Sequence, residues 1–299
     1  MADDNVTDLN ANQPSGGDAA TAPVASSGGG KSIDIGVVGG LLLGLVSLLI
    51  GMILEGTSPV SYYAISAAII VFGGTAGAQL VSSGLELFKT IPSQFMRAVT
   101  YKKVDRGEAI GTLVQFAEKA RREGLLVLED DLQNTNNEFL RKGVQLVVDG
   151  TDPELVKEIL ETEVDALADE NTKKAKVWAQ LAGYSPTLGI IGTVMGLVNV
   201  LKNLSDPTSL GPMIAVAFIA TFYGVAFANL VYMPISTKLT ACSDDEVAGR
   251  ELMLEGILAI QSGDNPRIVE EKLVAFLDSK TKLGYLRAKQ AADEFDLAA

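Results

Sequence analysis

Hydroxyls and prolines set in otherwise apolar sequence are the residues of this chain that could do chemistry within a membrane. The stretch GYSPTLGIIGTVMGLVNVL, residues 183–201, has no charged side chain but contains Pro186 and Thr193. A proline inside a helix frees a backbone carbonyl and kinks the chain, which lipid tolerates where a nearby group satisfies that carbonyl. Ser185 and Thr187, which flank the proline, are the candidates to do so. The stretch therefore predicts a helix with a role beyond anchoring.

A second group of polar residues lies in the last apolar stretch of the chain. Its members are uncommon in lipid-facing sequence: Thr221, Tyr223, Asn229 and Pro234. Together with Thr193, they give the third and fourth apolar stretches a polar lining that the first two lack. This pattern predicts that the third and fourth stretches line an ion path, and that the first two are lipid-facing support.

Four stretches exceed the roughly 18 uncharged, apolar residues that indicate a membrane-spanning helix. They are residues 35–54, 59–85, 177–201 and 207–237, and none contains Asp, Glu, Lys or Arg. The mean hydropathy of +0.26 agrees with a chain that lies largely in lipid. The sequence therefore predicts an all-α membrane protein with four transmembrane helices and a helical cytoplasmic domain inserted between the second and third spans.

The distribution of Lys and Arg predicts the orientation, because these residues mark the cytoplasmic side of a membrane protein. Fourteen of the chain's 24 lie between the second and third stretches, whereas the two short connections contain only Lys202. The central segment and both termini are therefore expected in the cytoplasm. The predicted layout is a disordered acidic tail (1–31), two peripheral spans (32–88), a cytoplasmic helical domain (89–176), two path-lining spans (177–238) and cytoplasmic C-terminal helices with a tail (239–299).

A long helix is predicted to begin before the third span. Asp152 is a suitable N-cap, and Pro153 occupies the first helical position. The apolar side of this helix is expected to be Leu155, Ile159 and Val164. Since no stop signal follows, the helix is predicted to run without interruption into the membrane.

Small residues four positions apart let membrane helices approach closely, because lipid provides little hydrophobic force between them. Gly192 and Gly196 form such a pair in the third span. Helix packing is the expected role of both glycines.

The composition argues against several classes of function. A net charge of −13 would repel nucleic acid. The chain has no histidine and one cysteine, so the commonest zinc ligands are missing. It also has no nucleophile elbow and no phosphate-binding loop. We therefore expect neither an enzyme nor a bound metal or cofactor.

A path for protons or cations through lipid normally contains an ionisable residue at depth, often a carboxylate. None of the four apolar stretches has an Asp or Glu. If the chain forms part of such a path, another subunit must supply the acid.

Five segments, in this order along the chain, resemble one family: ARREGLLVLEDD at 120–131, GVQLVVDGTD at 143–152, YSPTLGIIGTVMGLVNVLKNL at 184–204, GPMIAVAFIATFYGVAFANLVYMPISTKL at 211–239 and ELMLEGILAIQSGDNPRIVEEKL at 251–273. The family is that of the MotA/PomA flagellar-motor stator subunits, within the MotA/TolQ/ExbB superfamily. The resemblance covers about residues 33–277.

This resemblance implies a specific assembly in the cell inner membrane. Five copies form a ring around two copies of a single-span MotB/PomB-type partner, whose membrane aspartate binds the coupling ion. The hydroxyls of Thr193 and Thr221 are implied to face that aspartate. Pro186 and Pro234 are implied to serve the ion-driven conformational change that generates torque for motility.

The resemblance also implies a rotor contact at the cytoplasmic end. Arg121 and Glu129 match the charged pair that contacts the rotor's switch protein, FliG. Arg122, Asp130 and Asp131 are weaker candidates for the same surface.

One departure from the family pattern bears on the coupling ion. Sodium-using members have two adjacent threonines in the fourth span, whereas this chain has Ala220 before Thr221. Sodium requires several oxygen ligands, while a proton requires only the acid. We therefore expect H⁺ as the transported ion, with Na⁺ as the alternative.

Two other functions remain open at this point. An ExbB/TolQ-type energiser of outer-membrane processes resembles a three-span layout with a different large loop, and the four spans count against it. A stand-alone channel or transporter would need its own buried charge or inverted broken helices in both halves. The two halves of this chain are not alike.

Overall fold

The computed structural model describes residues 33–133 and 135–298, and within them the chain is helical without strands. The acidic tail predicted for residues 1–31 lies outside the described residues. The helices are α1 (Ile35–Leu54), α2 (Ile65–Lys89), α3 (Ile91–Thr100), α4 (Arg106–Glu123), α5 (Leu128–Gln133), α6 (Glu138–Val148), α7 (Pro153–Lys202), α8 (Pro207–Gln261), α9 (Pro266–Val274) and α10 (Ser279–Ala298).

Four of these helices, α1, α2, α7 and α8, are long and apolar enough to cross a membrane. The four-span, all-helical class predicted from the sequence is therefore confirmed. The second span begins at Ile65 rather than at residue 59, because Pro59–Tyr62 form a short 3₁₀ turn first. Helices α3 to α6 lie between the second and third spans.

Short polar side chains begin the helices, as the capping preference for Asp and Asn requires. Asp152 accepts a hydrogen bond from the Glu154 backbone N–H at the start of α7, and Asn265 does the same for Arg267 at the start of α9. The predicted start of α7 is therefore confirmed.

Helices α7 and α8 each run without interruption from the membrane into the cytoplasmic domain. Helix α7 has 50 residues and α8 has 55, which at 1.5 Å per residue gives lengths of about 75 and 80 Å. Each is more than twice the roughly 30 Å needed to cross the hydrocarbon core. The predicted continuity of α7 is confirmed, and a displacement of either helix in the membrane would be carried directly to the cytoplasmic end.

The cytoplasmic domain has a conventional core of large aliphatic side chains. Its fully buried leucines and isoleucines come from five helices: Ile110, Leu113, Leu128, Leu160, Leu252, Ile257 and Leu273. Of the predicted apolar side of α7, Val164 is buried and Ile159 is half-buried, but Leu155 is 47% exposed, so the prediction was wrong at Leu155. The side that packs on the core is Val156, Leu160 and Val164, because α6 and α8 approach from that direction.

In the membrane bundle, the span α1 is less closely packed than the other three spans. None of the residues of α1 is buried by the rest of the described chain, whereas α2, α7 and α8 pack on one another. The expectation that the first two spans lack polar residues was wrong for the second. Gln79 is fully buried, and its Nε2 donates to Oε1 of Gln180 on α7 at 3.1 Å.

Helices α2 and α8 also contain irregular turns. A π-helical turn occupies Ile69–Gly73 of α2, and another occupies Ala228–Tyr232 of α8. Such turns are commonly found at functional sites. With Pro186 inside α7, each of the three packed spans has a departure from regular helix, and α1 has none.

Candidate functional site

The candidate site is the seam at which α7 crosses α8 in the membrane. Gly192 and Gly196 lie at this seam. A Cβ added at Gly192 would come within 2.7 Å of the Ala220 Cβ, and one at Gly196 within 2.5 Å of the Ala217 Cβ. The two helices therefore touch at distances that only glycine allows.

Two further glycines bring the backbones themselves into contact. A Cβ on Gly189 would lie 2.8 Å from the Ala220 carbonyl oxygen, and one on Gly224 would lie 2.5 Å from the Ser185 carbonyl oxygen. Backbone atoms cannot rotate away as side-chain ends can. These two positions fix the relative placement of α7 and α8 most strictly.

Thr193 and Thr221 meet across this seam. Their Oγ1 atoms are 2.5 Å apart, and the Thr193 Oγ1 lies 3.0 Å from the Ala217 carbonyl oxygen. The carbonyl of Gly189 lies within 3.3 Å of both hydroxyls. Each hydroxyl has one proton to donate, so one proton lies between the two oxygens and the other is donated to the Gly189 or Ala217 carbonyl at the seam.

Ala220 lies beside this pair and is 2% exposed. Its methyl group faces Gly192. The position thus contributes a methyl rather than an oxygen to the threonine pair.

The backbone carbonyl that Pro186 leaves without a donor in α7 does not receive the predicted hydrogen bonds. Pro186 removes the donor for the carbonyl four residues earlier, that of Ala182. The Thr187 hydroxyl donates instead to the Tyr184 carbonyl at 2.7 Å. The Ser185 hydroxyl is fully buried and has no partner among the described residues. The expectation that these two hydroxyls satisfy the freed carbonyl was therefore wrong in this conformation.

Tyr223 lies away from the threonine pair. Its hydroxyl donates to the Tyr62 carbonyl and accepts from the Ala64 backbone N–H at 3.3 Å. The structure thus does not bring Tyr223 together with Thr193 and Thr221, because its side chain ties α8 to the segment that precedes α2. Pro234 lies two residues after the π-helical turn of α8.

A cavity of about 390 Å³ opens along the same seam. The glycine and alanine contacts line one side of it, and the first turns of α2 line the other. The lining residues whose side chains carry polar atoms or sulfur are Ser66, Met195, Asn199 and Met213.

The sequence-based prediction missed the polar face of α2. Besides Gln79, it includes Thr75, which is 1% exposed, and Ser82, whose hydroxyl lies 2.7 Å from that of Tyr184. A glutamine inside an uncharged stretch of 27 residues was the available signal. Three spans, rather than two, contribute polar atoms to the bundle interior.

The charged residues predicted for the rotor contact lie on the cytoplasmic side of the chain, where α4 turns into α5. Gly124, with φ of +92°, ends α4 and reverses the chain into the 3₁₀ turn Leu125–Val127. Four of the predicted residues are exposed around this turn: Arg121, Arg122, Glu129 and Asp130.

Two neighbours complete this surface. Asp131 accepts a hydrogen bond from the Lys119 Nζ at 2.7 Å, which raises the pKa of that lysine. Leu126, which the sequence-based prediction did not single out, is 72% exposed between the basic and acidic pairs. The turn therefore presents both signs of charge around one apolar side chain.

These features define a class: a multi-pass helical membrane protein whose uncharged, glycine-packed spans continue into a cytoplasmic domain. Residues 131–252 match the MotA/TolQ/ExbB proton channel family. Motility protein A of Borreliella burgdorferi is 40% identical over 246 residues, which are 80% of this chain and 92% of that protein.

Solved structures agree. The flagellar MotAB stator complex from Bacillus subtilis matches with a TM-score of 0.78 at 33% identity, over 83% of this chain and 98% of that chain. The C. jejuni MotAB structure matches with a TM-score of 0.79 at 32% identity, over 83% and 97%. The chain belongs to the MotA/PomA family of flagellar-motor stator subunits, and the resemblance found from its motifs is confirmed.

Proposed function

We propose that five copies of this chain form a ring around two copies of a single-span, MotB/PomB-type partner in the cell inner membrane, with both termini in the cytoplasm. The ring couples proton flow to torque on the rotor. The observation that carries this proposal is the Thr193–Thr221 pair in a wall that contains no Asp or Glu of its own.

The partner supplies the acid that this wall lacks. An aspartate on the partner's membrane helix alternates between a charged and a neutral form as it loses and binds a proton. The membrane potential contributes about 2.3 kcal/mol per elementary charge per 100 mV. That energy is available at each neutralisation and release.

The threonine pair responds differently to the two forms of the acid. A carboxylate only accepts hydrogen bonds, whereas a protonated carboxyl can also donate one. To bind the carboxylate, Thr193 or Thr221 must withdraw its proton from the α7–α8 seam. To accept from the protonated form, neither needs to do so. Loss of the proton from the partner's acid therefore loosens the seam, and proton binding restores it.

Helices α7 and α8 carry this change outward. Pro186 lies in contact with Gly224 at the seam, with a Cβ at Gly224 only 3.2 Å from the Pro186 Cα. A kink at Pro186 and the π-helical turn before Pro234 provide places where each helix can bend. Because both helices continue to the cytoplasmic domain, bending in the membrane displaces the end that carries Arg121 and Glu129, which contact FliG.

The buried methyl group of Ala220 supports protons over sodium as the coupling ion. A sodium site needs several oxygen ligands, and the methyl group of Ala220 adds none to the two hydroxyls of Thr193 and Thr221. A proton needs only the partner's carboxylate.

The experiment that tests this proposal replaces Thr221 by Val in a strain that depends on this chain for swimming. Loss of the hydroxyl is expected to reduce torque at least tenfold while the complex with the partner still forms. Thr237→Val is the matched control, because Thr237 is exposed on the same helix and donates only to the Met233 carbonyl of its own preceding turn. Full swimming of the Thr221→Val strain would refute the assigned role.

A further inference from the structure

A closed triangle of polar side chains joins three helices between the membrane bundle and the cytoplasmic domain. The Arg97 guanidinium on α3 donates to Asn171 Oδ1 on α7 at 2.8 Å and to Glu246 Oε2 on α8 at 2.5 Å. The third side is the bond from Asn171 Nδ2 to the same Glu246 oxygen at 3.1 Å. Asn171 is 3% exposed, whereas the side chains of Arg97 and Glu246 are 30% and 25% exposed, so a partly buried network holds each of the three helices to the other two.

The residue before Glu246 on α8, Asp245, holds the segment that leads into the cytoplasmic domain. Asp245 accepts hydrogen bonds from the Tyr101 hydroxyl at 2.9 Å, the Val104 backbone N–H at 3.0 Å and the Arg106 guanidinium at 2.9 Å. Burial, and then the hydrogen bond to Asp245, raises the pKa of Tyr101, so the phenol remains a donor. Glu246 and Asp245 thus attach α8 to both ends of the segment between α3 and α4.

Two further hydrogen bonds, on the membrane side of the triangle, also join α7 to α3 and to α8. The Trp178 Nε1–H of α7 donates to Gln94 Oε1 of α3 at 2.9 Å, and the Ser236 hydroxyl of α8 donates to the Ala175 carbonyl of α7 at 2.8 Å. Both bonds are buried. The spans can bend at Pro186 above the level of these bonds, whereas these hydrogen bonds oppose sliding of α3, α7 and α8 past one another within it.

We propose that Arg97, Asn171 and Glu246, with Asp245 beside them, form a coupling joint that transmits movement of the membrane spans to the rotor-facing end. These are positioning residues, which contact neither the ion nor the rotor. The proposal rests on the proposed function as a torque-generating subunit. Rigidity here matters because a displacement made at the seam reaches α4 and α5 only if α7, α8 and the segment from Tyr101 to Arg106 move together.

The test compares torque with ion flow in the full chain bound to its partner. Arg97→Lys keeps the positive charge but removes the forked geometry that reaches Asn171 and Glu246 at once, and Glu246→Gln removes the charge of the acceptor. Both are expected to lower stall torque in a bead assay at least threefold, with the complex assembled and proton uptake by proteoliposomes unchanged.

Glu170→Gln is the matched control. Glu170 directly precedes Asn171 on α7, but its hydrogen bond is to Lys174 of its own helix at 2.6 Å, and it is near the charge of Arg97 without a hydrogen bond to it. This variant should leave torque at the level of the unchanged chain. Unchanged torque in Glu246→Gln would overturn the proposed joint. So would a fall of torque in this variant that is matched by an equal fall of proton uptake.

Exchanging the two charged residues, Arg97 and Glu246, provides a test in case a single variant fails to assemble. With Arg97→Glu and Glu246→Arg together, Asn171 can turn its amide by 180° and still donate to the acid and accept from the arginine. Torque should return. A doubly exchanged complex that assembles and conducts but gives no torque would overturn the proposal. If the unchanged chain itself conducts without producing torque, the proposed function fails first.

Discussion

The membrane bundle and the cytoplasmic domain of this chain are held together by opposite kinds of contact. In the membrane, α7 and α8 meet through glycines, alanines and the Thr193–Thr221 pair, with backbones nearly touching. In the cytoplasm, the core consists of large side chains such as Leu113 and Ile257. Lipid gives apolar side chains little reason to associate, whereas water drives them together. The same chain therefore uses close approach in one region and apolar volume in the other.

The contrast predicts that adding side-chain volume at the α7–α8 seam will have the largest effect on assembly of the complex. Gly224→Leu would place a side chain where even a Cβ lies 2.5 Å from the Ser185 carbonyl oxygen. Because backbone cannot yield, the cost should exceed the roughly 1–3 kcal/mol usual for overpacking, and the complex should not assemble. Size-exclusion chromatography of the purified complex measures this.

Gly183→Leu is the control for that variant. Gly183 lies on α7, and a Cβ there would meet no described atom within 4 Å. Assembly should survive the change. If both leucine variants assemble equally well, close approach is not what holds the membrane bundle together.

Removing volume from the cytoplasmic core should have the next largest effect. Leu113 is fully buried, and Leu113→Ala should destabilise the domain by about 2–5 kcal/mol, since it removes buried methyl groups and leaves a cavity. Thermal denaturation with the matched Leu126→Ala would check it. Leu126 is 72% exposed, and its truncation should change stability by no more than about 0.5 kcal/mol. A similar loss in both variants would contradict a solvent-driven core.

A smaller effect is expected where α1 joins α8. Asp34 caps α1 and pairs with Lys238 at 2.6 Å, and the hydrogen bond from this lysine lowers the pKa of Asp34. A carboxyl whose pKa is lower in the folded state stabilises the fold above its unfolded value of about 3.9. That contribution is lost as the pH falls through the folded value.

Asp34→Asn should therefore lower thermal stability at pH 7 by less than about 1 kcal/mol, because the pair is partly exposed. The difference from the unchanged chain should shrink as the pH approaches 3. A difference that grows on acidification would contradict the assigned pairing.

The smallest effect on stability, with a large effect on function, is expected at the exposed turn. Arg121→Glu together with Glu129→Arg should leave the melting temperature unchanged, since both side chains are exposed. Torque should be lost, because the charges that we propose to face FliG are reversed. Normal swimming of the doubly reversed strain would remove Arg121 and Glu129 from the rotor contact.

The comparison also explains how far the sequence could predict the structure. The four spans were predicted from the length of the uncharged stretches, and the start of α7 from Asp152 and Pro153. Both predictions were possible because these features depend on local sequence alone. The polar face of α2 and the partner of Tyr223 were missed, because they depend on which helix lies opposite. On α7, Val164 was predicted correctly, but Leu155 was assigned to the buried side in place of Val156, since the two are equally apolar and only the position of α6 and α8 distinguishes them.

The roles of the site residues were predictable only through the family motifs. Thr193 and Thr221 are 28 residues apart, and composition gives no reason to pair them. The π-helical turns in α2 and α8 had no sequence signal. Tyr223 follows Thr221 by two residues in the regular part of α8, before the π-helical turn at Ala228–Tyr232, so the two side chains point to different faces of the helix.

Proton flow into liposomes tests the central claim most directly, namely that this chain is an uncharged wall whose titrating acid belongs to a partner. The chain would be reconstituted alone, with the single-span partner, and with a partner whose membrane Asp is replaced by Asn, and proton uptake would be followed under an imposed potential. The account predicts uptake only with the intact partner. Uptake by the chain alone, or with the Asn partner, would contradict it.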